Sequence, residues 1–362
     1  MNVCFLLGGF TQNGGIGRVT SILANNLVDE EEYNIFTLSF FNTQKKNLYF
    51  LKNEIIQNFL FEKSINMKNA LMLGAVSKMK RFLKLNKIDI VIACGALYFP
   101  ISVFSCKYLN TKTICWEHSN VQNSKDHSFQ LLCRKIGAKK ANMIVTLTKH
   151  DKESYISKYH INNVLQIYNP VDENIIHYSN EYNAKSRKLL SVGRLSYQKN
   201  FGMLIEIAKE VLPNNSGWTW DIFGDGELRD ELQSKINENG LEKLLFLKGQ
   251  VNNLYSLYNE YAVLIMTSYY EGFPMTLLEG MALGLPLLSF DILTGPNEII
   301  ENGKNGYLVD PFDKKAMISC INYLLNSMET RILMSDNGKC FSGKYSLNEI
   351  TNRWKRLFNS IT

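Results

Sequence analysis

Apolar runs of strand length alternate with helical patterns along this chain, and the alternation runs through twice. In the first half, strands are expected near residues 2–7, 33–38, 88–94, 111–116, 143–147 and 164–168, with helices near 17–28, 65–86, 99–109, 126–140 and 149–158. The pattern restarts with strands near 188–192, 219–223, 244–247, 262–266, 286–290 and 307–309. Helices are then expected near 200–212, 227–238, 253–258, 275–283, 295–301, 313–326 and 330–342. Such alternation points to parallel sheets covered on both faces, because each crossover between parallel strands is usually a helix with an apolar stripe to bury. The expected architecture is therefore α/β, with two doubly wound, Rossmann-like domains facing each other across a cleft. Residues 1–168 would form the first, 187–345 the second and the polar stretch 169–186 the linker, with a last helix at 346–362 packing back on the first. Ligands of such sheets bind beyond the carboxyl ends of the strands, so the loops there are where chemistry is sought.

At 362 residues with 45% hydrophobic content and only seven prolines, the chain is long and apolar enough for two cores, which excludes disordered and disulfide-scaffold readings. No apolar run reaches the roughly 18 residues of a membrane span. The start, Met1 to Gly9, lacks a basic leader and reads as a buried strand rather than a signal peptide, so a cytoplasmic protein is expected. Seven cysteines without a C-x-x-C spacing read as buried thiols, and five scattered histidines without metal-site spacing give no support to zinc.

Charge divides unevenly: residues 1–168 carry +10 and residues 169–362 carry −4. The stretch from Lys63 to Lys87 holds Lys63, Lys68, Lys78, Lys80, Arg81, Lys84 and Lys87 with no acid, and Met67, Leu71, Val76, Met79, Phe82 and Leu83 recur at mostly helical spacing. That is a basic amphipathic helix, which serves either as a solvated face of a core helix or as an attachment to an anionic membrane surface. A nucleic-acid partner is disfavoured by the acidic second half and by the lack of a binding motif.

Three loops concentrate glycine and polar residues. After the first strand, Gly14-Gly15-Ile16-Gly17-Arg18 leads into a helix, where backbone amides would approach a phosphate. After the strand at 188–192, Gly193-Arg194 and Lys199-Asn200 place two cations five residues apart, a planar fork and a point charge suited to one diphosphate. After the strand at 262–266, Glu271-Gly272-Phe273-Pro274-Met275-Thr276 opens a helix with Pro274 expected in its first turn. Glu279 follows within an apolar helix, where a carboxylate is costly without a partner such as a ribose diol. Amides near Met275 and Thr276 would add anion or sugar contacts.

These residues, together with Phe223-Gly224-Asp225-Gly226 and Gly249-x-Val251, resemble the retaining bacterial glycosyltransferases of the GT-B fold, family-4 group. The likeness extends to Gly15-Ile16-Gly17-Arg18, to Trp116-Glu117-His118-Ser119 and to Asn169-Pro170-Val171-Asp172, covering nearly the whole chain. The stretch from Asp291 to Ile300 looks like the branch that builds capsule, O-antigen and wall polysaccharides. The resemblance implies transfer of a hexose or N-acetylhexosamine from a nucleotide sugar, by family habit UDP-linked, to a glycan acceptor carried on undecaprenyl diphosphate. Arg194 and Lys199 would hold the diphosphate, Glu279 the ribose, Glu271 the sugar hydroxyls and the backbone around Val251 the base. Gly193, Gly224, Gly272 and Phe273 belong to the donor loops. The Gly15–Gly17 loop would close over the phosphate and acceptor, and His118 would contact the transferred sugar. No Asp-x-Asp triplet is present, so neither a metal nor another cofactor is expected. Attachment to the inner face of the cell membrane would bring such an enzyme to its acceptor.

Other functions keep their place at this point. A nicotinamide oxidoreductase needs a third glycine that both Gly-rich loops lack. A sugar-nucleotide epimerase shares the two-domain fold, and a non-catalytic nucleotide-sugar-binding partner is the alternative without chemistry. Sugar, base and acceptor rest on a few hydroxyl contacts that the motifs leave open.

Overall fold

The computed structural model describes residues 1–11, 14–42, 47–62, 74–120, 128–178, 181–251 and 253–362. They form two compact units, Met1–Pro170 with Leu347–Thr362, and Val171–Ser346.

The first unit is built on a seven-stranded parallel sheet of order β3-β2-β1-β4-β5-β6-β7. Its strands are β1 (Asn2–Leu7), β2 (Asn34–Phe41), β3 (Ile56–Phe61), β4 (Ile90–Cys94), β5 (Lys112–Trp116), β6 (Met143–Thr146) and β7 (Val164–Gln166). All five residues of β4 are buried, as both-face coverage requires. The edge strand β3 escapes the sequence pattern because Ile56, Gln57 and Phe59 are exposed and only Leu60 and Phe61 reach the core. The final helix, Leu347–Ile361, belongs to this unit: Trp354 meets Trp116 edge-on at 4.9 Å between centroids, and Phe358 meets Tyr33 at 5.8 Å.

The second unit carries a six-stranded parallel sheet of order β10-β9-β8-β11-β12-β13. These are β8 (Lys188–Val192), β9 (Thr219–Phe223), β10 (Leu245–Gly249), β11 (Val263–Met266), β12 (Leu287–Phe290) and β13 (Gly306–Val309). The chain leaves β8 toward β9 and β10, then returns to place β11 on the other flank of β8. The strand order therefore reverses between β8 and β11, which makes their carboxyl ends the place where a ligand of this sheet belongs.

The stretch 169–186, expected as a polar linker, is described at 169–178 and 181–186. A 3-10 helix spans Glu173–Tyr178, Asn169, Val171 and Ile175 are buried, and Val171 N donates to Tyr345 O at 2.8 Å. The basic helix runs over Ala75–Leu85; Lys63, Lys68, Met67 and Leu71 lie outside the described residues. All seven cysteines are free thiols, five of them buried. No helix among the described residues is long and apolar enough to cross a membrane.

Candidate active site

The loops leaving β8 and β11 meet at the switch point of the second sheet. From β8 the chain passes Gly193 and Arg194, buries Leu195, makes a 3-10 turn over Tyr197–Lys199 and starts the helix Phe201–Val211 after Asn200 in the left-handed region. From β11, Thr267 donates its hydroxyl to the carbonyls of Lys199 and Asn200 at 3.1 and 3.3 Å, and Tyr269 N donates to Gln198 O at 2.9 Å. These bonds make the two loops one structure.

Lys199 Nζ sits 2.6 Å from Glu271 Oε1, with the two side chains 16% and 8% exposed. Sequence reasoning gave these residues separate ligands, diphosphate and sugar; the fold joins them as a partly buried ion pair. Ser268 Oγ donates to the same Oε1 at 2.7 Å and Gln198 Nε2 to Oε2 at 3.3 Å, so the carboxylate is held from three sides. Thr294 Oγ1 donates to the Glu271 carbonyl at 2.5 Å. Arg194 is different in kind: its side chain is 73% exposed and its Nη2 pairs with Glu227 Oε2 at 3.1 Å. An exposed pair of this kind is worth little, so the guanidinium is available to an incoming anion.

Glycines set the closeness of these loops. A Cβ at Gly224, where φ is +131°, would lie 1.9 Å from Gly193 O, and one at Gly193 would lie 2.8 Å from Lys199 Cε. Gly224 N also donates to Gly249 O at 2.9 Å, tying in the β10 end that leads to Val251.

Pro274 precedes the helix Met275–Ala282 as its N-cap, with ψ at 105°, rather than standing inside the first turn. The residue before the helix must be extended, and the proline ring fits there while its carbonyl accepts from Leu277 N and Leu278 N. Phe273 and Met275 are buried, whereas Gly272 and Thr276 remain partly accessible. Glu279 is 2% exposed on this helix.

In the first unit, Gly15, Ile16 and Gly17 form the opening turn of the helix Gly15–Leu27 rather than a loop before it. A Cβ at Gly17 would lie 3.3 Å from the Tyr49 ring, so the turn packs closely there, whereas one at Gly15 would meet nothing within 4 Å and Ile16 is 36% exposed. His118 follows β5. Its ring lies against Trp116 at 4.3 Å between centroids, and no described residue bonds its enclosed Nε2. Burial lowers its pKa to about 4 despite the pull of Glu117 in the other direction, so the imidazole is neutral at neutral pH.

Ser268, Gln198, Glu227 and Glu117 were not singled out from the sequence. Gln198 directly precedes the motif cation Lys199, and Glu227 directly follows the Gly224-Asp225-Gly226 run, which are the signals that could have drawn attention to them. Ser268 reaches Glu271 three residues on and Glu117 reaches Ser119 two residues on, but the Arg134 and Tyr155 partners of Glu117 come only through the fold.

Comparison with known proteins covers both units. A model described as "Glycosyltransferase Family 4" matches residues 13–175, and one described as "Glycosyl transferases group 1" matches residues 172–340. The amylovoran biosynthesis glycosyltransferase AmsD of Erwinia amylovora is 29% identical over 98% of each chain. An α-1,4-N-acetyl-D-galactosaminyltransferase of Campylobacter jejuni, whose name specifies a GalNAc-containing glycan on undecaprenyl diphosphate, is 26% identical over 100% of this chain and 99% of its own. Among solved structures, Anabaena HepE in complex with UDP and glucose superposes with a TM-score of 0.83 at 16% identity, over 99% of this chain and 100% of that one.

Proposed function

This chain belongs to the bacterial glycosyltransferases of the GT-B fold, and from that premise we propose that it is a metal-independent, retaining transferase. Its donor would be a UDP-linked hexose or N-acetylhexosamine, and its acceptor a growing surface polysaccharide on a lipid diphosphate. The observation that carries this reading is the Lys199–Glu271 pair at the β8/β11 switch point, with Arg194 on the loop after β8 and Glu279 on the helix that follows β11. The UDP named with HepE and the undecaprenol named for the Campylobacter relative support the choice of donor and acceptor.

Departure of a nucleoside diphosphate leaves negative charge on its oxygens, and fixed cations stabilise that charge without reorganising. Lys199 and Arg194 supply them, in place of a divalent ion. In the proposed step the sugar C1–O bond to the diphosphate breaks as the acceptor oxygen bonds to C1 on the same face. The acceptor proton passes to the leaving phosphate oxygen. Glu271 is then a contact for the sugar hydroxyls and the counter-ion that aims Lys199, both from one carboxylate.

Glu279→Ala is expected to weaken UDP binding roughly tenfold, by removal of a hydrogen bond to a charged acceptor. Glu271→Ala should leave UDP affinity within about threefold while turnover falls, because Lys199 and Arg194 remain to hold the diphosphate while the sugar loses its contact. Titration of UDP into both variants decides the matter. A loss of UDP affinity in Glu271→Ala alone would exchange the two roles.

We further propose that the first unit works at the inner face of an anionic membrane. On the helix Ala75–Leu85, Lys78, Arg81 and Lys84 are exposed on one side while Ala75, Met79 and Leu83 are buried. Among the described residues none of these cations, nor Lys80, pairs with a carboxylate, whereas Lys52, Lys188, Lys235, Lys304, Lys314 and Lys355 all do. Lys80 instead donates to Lys107 O at 2.9 Å and lies over the ring of Tyr108, a residue 83% exposed. Unneutralised cations beside an exposed aromatic ring suit lipid headgroups. Changing Lys78, Lys80, Arg81 and Lys84 to Gln should reduce co-sedimentation with phosphatidylglycerol vesicles at low salt and leave donor hydrolysis unchanged. Wild-type protein that ignores such vesicles at low salt contradicts this docking.

A further inference from the structure

The residue before His118 is the centre of a buried polar network. Glu117 is 2% exposed, and its Oε2 accepts from Arg134 Nε at 2.7 Å and from the Tyr155 hydroxyl at 2.8 Å. Its Oε1 accepts from the Ser119 hydroxyl at 2.9 Å and from Ser119 N at 3.2 Å. Arg134 reaches Ser119 Oγ as well, at 3.0 Å. Arg134 comes from the helix Ser128–Lys140 and Tyr155 from the helix Lys149–Tyr159, so two helices converge on one carboxylate at the end of β5. Ser119, on the other side of His118, is bonded to the same group. The imidazole is thus bracketed by two residues that the network holds, and its ring rests on Trp116, which is in turn backed by Trp354.

We propose that Glu117 is a positioning residue: clamped by Arg134 and Tyr155 and bonded to Ser119, it fixes the turn that presents His118 to the transferred sugar. The inference rests on the reading of His118 as a sugar contact. A buried ion pair is a poor source of net stability, since desolvation offsets most of its attraction; a fixed orientation of the adjacent turn is what this one provides. Burial alone would raise the Glu117 pKa, but Arg134 and the hydrogen bonds from Tyr155 and Ser119 outweigh it and hold the carboxylate ionised. A neutral amide at this place would keep the volume and lose the charge-assisted bonds.

The test is a double-mutant cycle in the full-length protein, with UDP titration and histidine-ring NMR alongside kinetics. His118→Ala and Glu117→Gln are each expected to lower kcat by roughly 10²-fold, the scale of a reacting geometry displaced by about an ångström. In the His118→Ala background, Glu117→Gln should cost less than about twofold more, because a group acting through His118 has nothing left to act on. UDP affinity should stay unchanged in both, since the diphosphate cations belong to the other unit. Tyr155→Phe keeps the ring and removes one hydrogen bond, so it serves if Glu117→Gln fails to fold. It should lower kcat by about 3–10-fold, the scale of one bond to a charged group, shift the His118 ring resonances and lose its kcat effect in the His118→Ala background. Normal turnover in His118→Ala would refute the role of His118 itself. Reduced turnover there, combined with fully multiplicative losses on adding Glu117→Gln or Tyr155→Phe, would refute the positioning role and leave His118 standing. Unchanged kcat and ring resonances in both of those single variants would refute it as well.

Discussion

Replacing Lys199 with alanine is expected to lower turnover by roughly 10²–10³, the cost of removing a fixed donor from a site of developing negative charge. The structure adds a reason for the upper part of that range. Lys199 is held 2.6 Å from Glu271, so its deletion also leaves a carboxylate that is 8% exposed without its cation. Ser268 and Gln198 would still bond that carboxylate, which keeps the loop folded while its charge now repels the donor phosphates. Arg194→Ala should fall in the same range of turnover with no change in melting temperature, because its only described ion-pair partner, Glu227, is itself half exposed. Steady-state kinetics with nucleotide-sugar hydrolysis as readout checks both. Near-normal turnover in the two variants would remove the diphosphate from this place.

The second large effect is expected from a single methyl group at Gly224. Two costs combine there: a backbone at φ +131°, which side chains rarely adopt, and a Cβ built 1.9 Å from Gly193 O. Backbone strain and overpacking together amount to about 2–6 kcal/mol, and relief would push the Gly193–Arg194 segment away from Lys199. Gly224→Ala should therefore lower stability in denaturant and reduce UDP affinity at the same time. Gly240→Ala is the control: its φ is +67°, but a Cβ there meets nothing within 4 Å, so only strain of about 1 kcal/mol is expected. Equal behaviour of the two variants would show that the loops do not need their close approach.

The alternation of apolar runs was sufficient to read most of both sheets, because strands buried on both faces are nearly continuous in Val, Ile and Leu. It failed at β3, where an edge position exposes Ile56, Gln57 and Phe59 and so breaks the apolar run. The stretch 169–186 reads as a polar linker because Val171 and Ile175 are isolated among polar neighbours. Their burial comes from packing that periodicity does not reveal. The loops of the candidate site were legible for a different reason: glycine, cations and carboxylates at strand ends are uncommon enough to notice. Pairing was not legible. Lys199 and Glu271 stand 72 residues apart, and only the reversal of strand order between β8 and β11 brings them together. Glu117 with Arg134 and Tyr155 is a second case, since a carboxylate next to a motif histidine gives no sign that it is buried.

A panel of nucleotide sugars assayed for release of nucleoside diphosphate, with a chelator present and with the mass and the anomeric NMR coupling of any lipid-linked product recorded, tests the donor site and its chemistry together. A UDP-sugar is expected to be turned over in the presence of the chelator, the product to gain one hexose or N-acetylhexosamine with its anomeric configuration retained, and turnover to fall by roughly 10²–10³ in Lys199→Ala. Absence of UDP binding, or turnover of a donor that is indifferent to both Lys199 and Arg194, would contradict the proposed donor site.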